Sequence, residues 1–447
     1  ASSATTQMFS AFKTKGTMEA WKEAMNFYNK PDMEVHKFMI GLSFGSIFTE
    51  FTPINASLLH VYSPESGIGK TTALFAGASI WGEPTKLLLK ETDTVNSKMN
   101  RAEVYNNLPL MLDELTNSTA KDASDFVYQY SSGTQKNRMS GASNAERVRG
   151  EPWKQNGIST GNSSLMEKIS AYKAIPKGEA MRILEVRARK VEGLDKTETD
   201  VLSAALQNNY GHAYLPYLQY VMNDITGIKE LYKSTQLKID KRCEFGPEDR
   251  FHSVLVTNGI MGLMVAKRVG LVNYDIKPVV DFIVEIAKNA KSQVKSMDVD
   301  AEGVLTNFVA ENWNSMLRIK STEDTRVNKK DEVDHLVIPD ATPKLTFVIR
   351  YEYDLKMMYI YPNPLREWCV KKQINYEGLI DSLKRGRTKA QMEKKRMGKG
   401  TRINLPPLKV LWVNCDGFMD EDREEQIASV AQHKEAIESA EGGASVS

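Results

Sequence analysis

Ser63 to Thr72, SPESGIGKTT, follows an apolar run and opens a helical one, the placement a phosphate-cradling loop requires. Its working part is Gly67, Ile68, Gly69, Lys70, Thr71 and Thr72. Glycines let backbone N–H groups curl around phosphate oxygens, Lys70 adds a cation for the terminal phosphates, and Thr71 offers a hydroxyl to Mg²⁺. One position departs from the GxxxxGK[ST] pattern: Pro64 stands where the first glycine is expected. Proline cannot take a positive φ, so the loop is expected to be entered differently while GKT stays intact.

A second constellation is NLPLMLDEL, Asn107 to Leu115, an apolar strand ending in two acids. Asp113 is placed to hold the metal's water shell and Glu114 to polarise an attacking water, so ATP with Mg²⁺ is the expected cofactor pair and hydrolysis the expected reaction. A polar side chain on a neighbouring strand should orient that water. ISTGNSS supplies Thr160 and Asn162, and Asn162 is the choice made here.

These residues need a parallel sheet to bring them together. From Ser57 onward short apolar runs alternate with helical stretches: SLLHVY, a helix to Trp81, KLLL, a helix to Asn107, LPLML, KQNGIST and MRILEV. Five strands interleaved with helices predict an α/β fold, a P-loop sheet covered by helices. Before it, Phe9, Phe12, Met18, Trp21, Met25 and Tyr28 are spaced for one buried helical face, and a second helix is expected over Glu34 to Phe48. Past Thr197 the pattern is helical. Beyond Lys320, strands, two helices, a basic loop and a final strand suggest a winged-helix-like module. The expected division is a helical N-terminal segment 1–50, an ATPase core 51–195, a helical lid 196–319, the winged-helix-like module 320–418 and an acidic disordered tail 419–447.

The 447 residues are 41% hydrophobic and 26% charged, as in soluble globular chains, with a formal net charge of +2. No apolar run approaches the roughly 18 residues of a spanning helix, so no membrane contact is expected. The opening segment lacks the layout of a secretory signal, which predicts a cytoplasmic setting, the host's if a phage encodes the chain. Cys243, Cys369 and Cys415 form no CxxC pair, so free thiols without structural zinc are expected. Lys384 to Arg402 holds nine basic residues against one acid, whereas Met419 to Ser447 holds eight acids against two bases.

GKTT, NLPLMLDEL, the basic SSGTQKNRMSGASNAERVRGEPW, ISTGN, GEAMRILEV, NYGHAYLPYL and RFHSVLVTNGIMGLMVAKRVGL, in that order, resemble the phage and plasmid ATPase family known as domain of unknown function 927. The resemblance spans about Phe38 to Val280. That family is similar to superfamily III helicases and AAA+ ATPases, which implies a hexamer acting on single-stranded DNA in replication. It also implies an arginine finger reaching a neighbouring subunit, for which Arg182 is the candidate and Lys168 the fallback. Channel-lining contacts to single-strand phosphates are implied for Lys136, Arg138, Arg147 and Arg149. No segment before Ser57 is long enough for a priming domain, so the expectation is either a primase or polymerase partner or a chain that is the C-terminal part of a longer protein. The resulting expectation is an ATP-driven helicase or translocase. The alternative is an ATP-switched DNA-binding or loader protein that separates no strands.

Overall fold

The computed structural model describes residues 8–65, 67–90, 92–135, 151–173, 176–191, 195–296, 301–319, 347–372, 374–386, 388–399 and 405–416. Its contacts divide the chain into two compact units, Ala1–Ser296 and Met297–Ser447.

In the first unit, α1 (Met18–Asn26) is capped by Thr17, whose hydroxyl accepts from Ala20 N. The single long helix expected from Phe9 breaks before it. Lys15 pairs with Tyr210 as a β-bridge, Gly16 takes φ 73°, and Phe9 is 56% exposed. α2 (Glu34–Gly45) runs into a 3₁₀ turn at Ser46–Phe51. Four strands follow in a wholly parallel sheet of order β2-β3-β1-β4: β1 (Ala56–Tyr62), β2 (Leu110–Leu112), β3 (Gln155–Gly161) and β4 (Ile183–Arg187). Ala56 to Val61 are all buried, so β1 is covered on both faces.

The helices between strands are α3 (Lys70–Ser79), the short α4 (Pro84–Leu87), α5 (Val95–Tyr105), α6 (Ala120–Ser131), α7 (Leu165–Tyr172) and the short α8 (Lys177–Ala180). KLLL does not form the expected fifth strand. Pro84 starts a helical turn that absorbs Leu87, and only Leu89 reaches the sheet, as a bridge to Leu112.

Helices complete the unit: α9 (Lys196–Asn208), α10 (Tyr214–Asn223), α11 (Ile225–Cys243), α12 (Arg250–Arg268) and α13 (Ile276–Ser296). They are not a body apart from the sheet, because one hydrophobic core runs from Ala11 to Ala287. The joint is the pairing of α12 with α2, where glycine faces glycine. A Cβ on Gly41 would stand 2.5 Å from the Gly259 carbonyl, and one on Gly262 would collide with the Gly41 carbonyl.

The second unit opens with α14 (Ala301–Glu311) and β5 (Met316–Ile319), so residues 301–319 pack there rather than with the helices before them. It continues with β6 (Ile349–Glu352), β7 (Met357–Ile360), α15 (Pro362–Lys371), α16 (Tyr376–Arg385), β8 (Gln391–Lys395) and β9 (Leu408–Asn414). The five strands form a mixed sheet of order β5-β6-β7-β9-β8, larger than the two or three strands of a winged-helix-like module. Part of the expected basic loop is strand, since Gln391–Lys395 pairs antiparallel with β9. Arg350 is wholly buried beside Glu352 and donates to the Met397 and Lys399 carbonyls, which ties down the turn after β8. The acidic segment 419–447 lies outside the described residues. The three cysteines are buried free thiols, and no helix among the described residues is long and apolar enough to cross a membrane.

Candidate nucleotide-binding site

The register of the parallel sheet aligns Tyr62 with Gly161 and with Arg187, and Leu112 with Ser159. The loops that leave β1, β2 and β3 therefore emerge at one edge, the carboxyl edge where open α/β sheets bind ligands. Gly67 and Gly69 adopt φ 76° and 82°, so the left-handed positions of the phosphate loop fall on glycine. Pro64 lies in the entry to the loop, where Glu65 N donates to Ser63 Oγ at 3.3 Å. Gly69 then caps α3, leaving the first amides of that helix as anion donors.

Lys70 is nearly buried at this edge. Its ammonium donates to Ser63 O at 3.0 Å and approaches Asn162 Oδ1 at 3.5 Å. Burial lowers its pKa, against the opposing pull of Glu114 and then Asp113. Thr71 Oγ1 donates to Asp113 Oδ1 at 3.2 Å, and Thr160 Oγ1 donates to the same oxygen at 2.6 Å. Asn162 Nδ2 donates to Glu114 Oε2 at 3.0 Å, while Asn162 N donates to Thr116 Oγ1 at 3.3 Å. Glu114 itself sits at φ 57°, a left-handed conformation that costs a non-glycine residue about 1–2 kcal/mol.

Five residues singled out in the sequence thus stand at one edge in two hydrogen-bonded groups, Thr71 with Asp113, and Lys70 and Glu114 joined through Asn162. Thr160, passed over in favour of Asn162, belongs to the first group through Asp113. A hydroxyl and a carboxylate side by side suit Mg²⁺, which takes few protein ligands and completes its shell with phosphate oxygens and water. Among the described residues no cluster of three or more His, Cys, Asp or Glu forms a metal cage of its own.

Arg182 is not brought to this edge. It precedes β4 at the opposite end of the sheet, where its carbonyl accepts from Leu58 N. Its guanidinium lies over the Tyr128 and Phe251 rings at 4.6 and 5.0 Å and donates to Gly178 O at 2.6 Å, all within its own chain. Lys168 is also engaged, donating to the Thr116 carbonyl. Lys136, Arg138, Arg147 and Arg149 lie outside the described residues. Among those described, Trp153 N donates to Gly133 O at 2.9 Å and the Trp153 indole donates to Tyr130 O at 3.0 Å.

Residues 2–150 match the family described as Domain of unknown function (DUF927). The match ends short of Val280, to which the order of motifs extended the resemblance. A search of curated proteins finds no match. Among solved structures, one described as "SCCmec type IV Cch - active helicase" has a TM-score of 0.58 and 16% identity, over 94% of this chain and 72% of that one. At that identity the likeness is one of fold alone.

Proposed function

We propose that the chain is an ATP-hydrolysing motor that acts on single-stranded DNA as a helicase or translocase. The observation that carries this reading is the placement at one carboxyl edge of a phosphate-loop lysine bonded through Asn162 to Glu114 and, beside them, of the Thr71–Asp113 pair. In this reading the Gly67–Thr72 amides and Lys70 hold the triphosphate. Thr71 and Asp113 would hold Mg²⁺, which would supply charge neutralisation to the phosphates. Glu114 accepts a proton from the attacking water, and Asn162 orients that water beside the terminal phosphate. The resemblance keeps Arg182 as the candidate finger toward a neighbouring subunit, and within its own chain its guanidinium lies over the Tyr128 and Phe251 rings.

The neighbour described as an active helicase supports strand separation as the use of this energy. The segment with Lys136, Arg138, Arg147 and Arg149 supplies a candidate DNA contact, since lysine and arginine among glycines and serines follow phosphates without reading bases. A hexameric ring, a phage or plasmid setting and a priming partner follow from the family resemblance.

The test is a quadruple Ala variant of those four residues. Basal ATPase and assembly should survive, while DNA-stimulated ATPase and fork unwinding are lost. The slope of log K against log[salt] should flatten by about 0.7 per phosphate contact removed. An unchanged slope would make the segment a solvated loop. ATP-dependent DNA binding by the wild-type chain with no unwinding would move the reading to a loader.

A further inference from the structure

The loop that carries Asn162 is held from within the sheet by two side chains that belong to no nucleotide motif. His60 on β1 and Glu185 on β4 are register partners on adjacent strands. His60 is fully buried, and burial lowers its pKa to about 4, so the ring is neutral near pH 7. Its Nε2 donates to Ser163 O at 3.1 Å, while Nδ1 faces Ser159 Oγ at 2.9 Å. Glu185 accepts from three groups at the start of α7: the Ser164 hydroxyl at 2.7 Å, Leu165 N at 2.6 Å and Met166 N at 3.0 Å.

From there the restraint passes to both reactive side chains. Lys168, one turn into α7, donates to the carbonyl of Thr116, two residues beyond Glu114. The Thr116 hydroxyl in turn accepts from Asn162 N. Gly161 lets these parts meet, since a Cβ there would stand 2.6 Å from Thr116 Oγ1 and 2.9 Å from His60 Cε1.

A helix start can be capped by one serine or aspartate, and Ser164 already does so for Glu167 N at 3.0 Å. A second, largely buried carboxylate at the same end adds desolvation cost, and burial raises its pKa against the hydrogen bonds it receives. What it adds is a fixed position for α7 relative to β1 and β4, the kind of support that holds reactive groups in place. Resting on the hydrolytic reading of Asn162 and Glu114, we propose that Glu185, assisted by His60, is a positioning residue for hydrolysis that sets the Asn162–Glu114 pair.

The experiment uses the full chain with Glu185→Ala, Glu185→Gln and His60→Leu, reading kcat, KM and the Kd of a fluorescent ATP analogue. Glu185→Ala and His60→Leu should each lower kcat roughly 10–100-fold, as loss of an outer supporting partner does, with Kd unchanged within about threefold. Glu185→Gln should recover most of kcat, because its amide oxygen still accepts from Leu165 N and Met166 N. Wild-type kcat in Glu185→Ala overturns the proposal, and so does a parallel loss of kcat and analogue binding, which marks a merely structural role. If Glu185→Ala fails to fold, Glu185→Gln and Ser164→Ala decide: the first should keep and the second should lower kcat, and the reverse order refutes positioning. Glu114→Gln separates the two readings. If it retains activity, the hydrolytic reading itself fails; if it is inactive while Glu185→Ala is not, only the positioning role fails.

Discussion

Asn162 turns its amide oxygen toward Lys70 and its amide nitrogen toward Glu114, so one side chain links the cation to the carboxylate. In the proposed reading, ligand binding would exchange these contacts for contacts to phosphate and water. The roles then separate on mutation. Lys70→Ala should weaken ATP binding and abolish turnover together. Glu114→Gln should bind ATP as wild type does while kcat falls roughly 10²–10⁴-fold, since only the proton acceptor is lost. Equilibrium binding of an ATP analogue beside steady-state ATPase checks both, and wild-type kcat in Glu114→Gln would remove Glu114 from the mechanism. Lys70, Thr71, Asp113 and Glu114 were legible because each lies in a contiguous motif beside a strand. Thr160 on Asp113 and Glu185 under α7 were not, because those contacts depend on the register of β3 against β2 and of β3 and β4 against β1.

Between elements, the stretch RFHSVLVTNGIMGLMVAKRVGL stood out in the sequence but its packing did not. Helix α12 is buried along nearly its whole length because Gly259 and Gly262 let it approach the Gly41 and Gly45 face of α2 until backbone meets backbone. Periodicity identifies a buried helix; it does not say which other helix supplies the matching glycines some two hundred residues away. The same limit explains KLLL, whose apolar content suited a strand until Pro84 began a helical turn ahead of it. At the glycine contact a methyl group has no room and the obstacle is backbone, which cannot rotate away. Gly262→Ala should therefore destabilise the first unit by about 1–3 kcal/mol. Gly378→Ala is the control, since its added Cβ would meet only ordinary contact at 3.4 Å in a helix of the second unit. It should be neutral or slightly stabilising, because alanine is the better helix former. Denaturant titration of both variants checks the pair, and equal midpoints would mean that α2 and α12 can separate without cost.

On the scale of the molecule, the two units differ in what acid should do to them. His36, His60 and His252 are buried in the first unit, and burial lowers all three, the first two to about 4. An unfolded chain protonates these rings near pH 6.5, whereas the native state does not until far lower. Between those values the unfolded state binds more protons, so stability falls as pH falls, by up to about 3 kcal/mol each for His36 and His60 at full expression. Glu185 and Asp240 work in the opposite sense. Burial raises both, so the native state protonates first and regains some stability as pH drops through their raised values. The second unit has no histidine among its described residues. Hydrogen exchange on the full chain from pH 7 to pH 4.5, corrected for intrinsic rates, should therefore show protection declining across residues 8–296. Residues 347–416 should hold theirs over the same interval. His36→Gln should flatten the decline by close to one proton, since its Nε2 hydrogen bond to Ile68 O is replaceable by an amide while its titration is not. A decline shared equally by both units, or unaltered by His36→Gln, would show that the buried rings do not set the acid limit of the first unit.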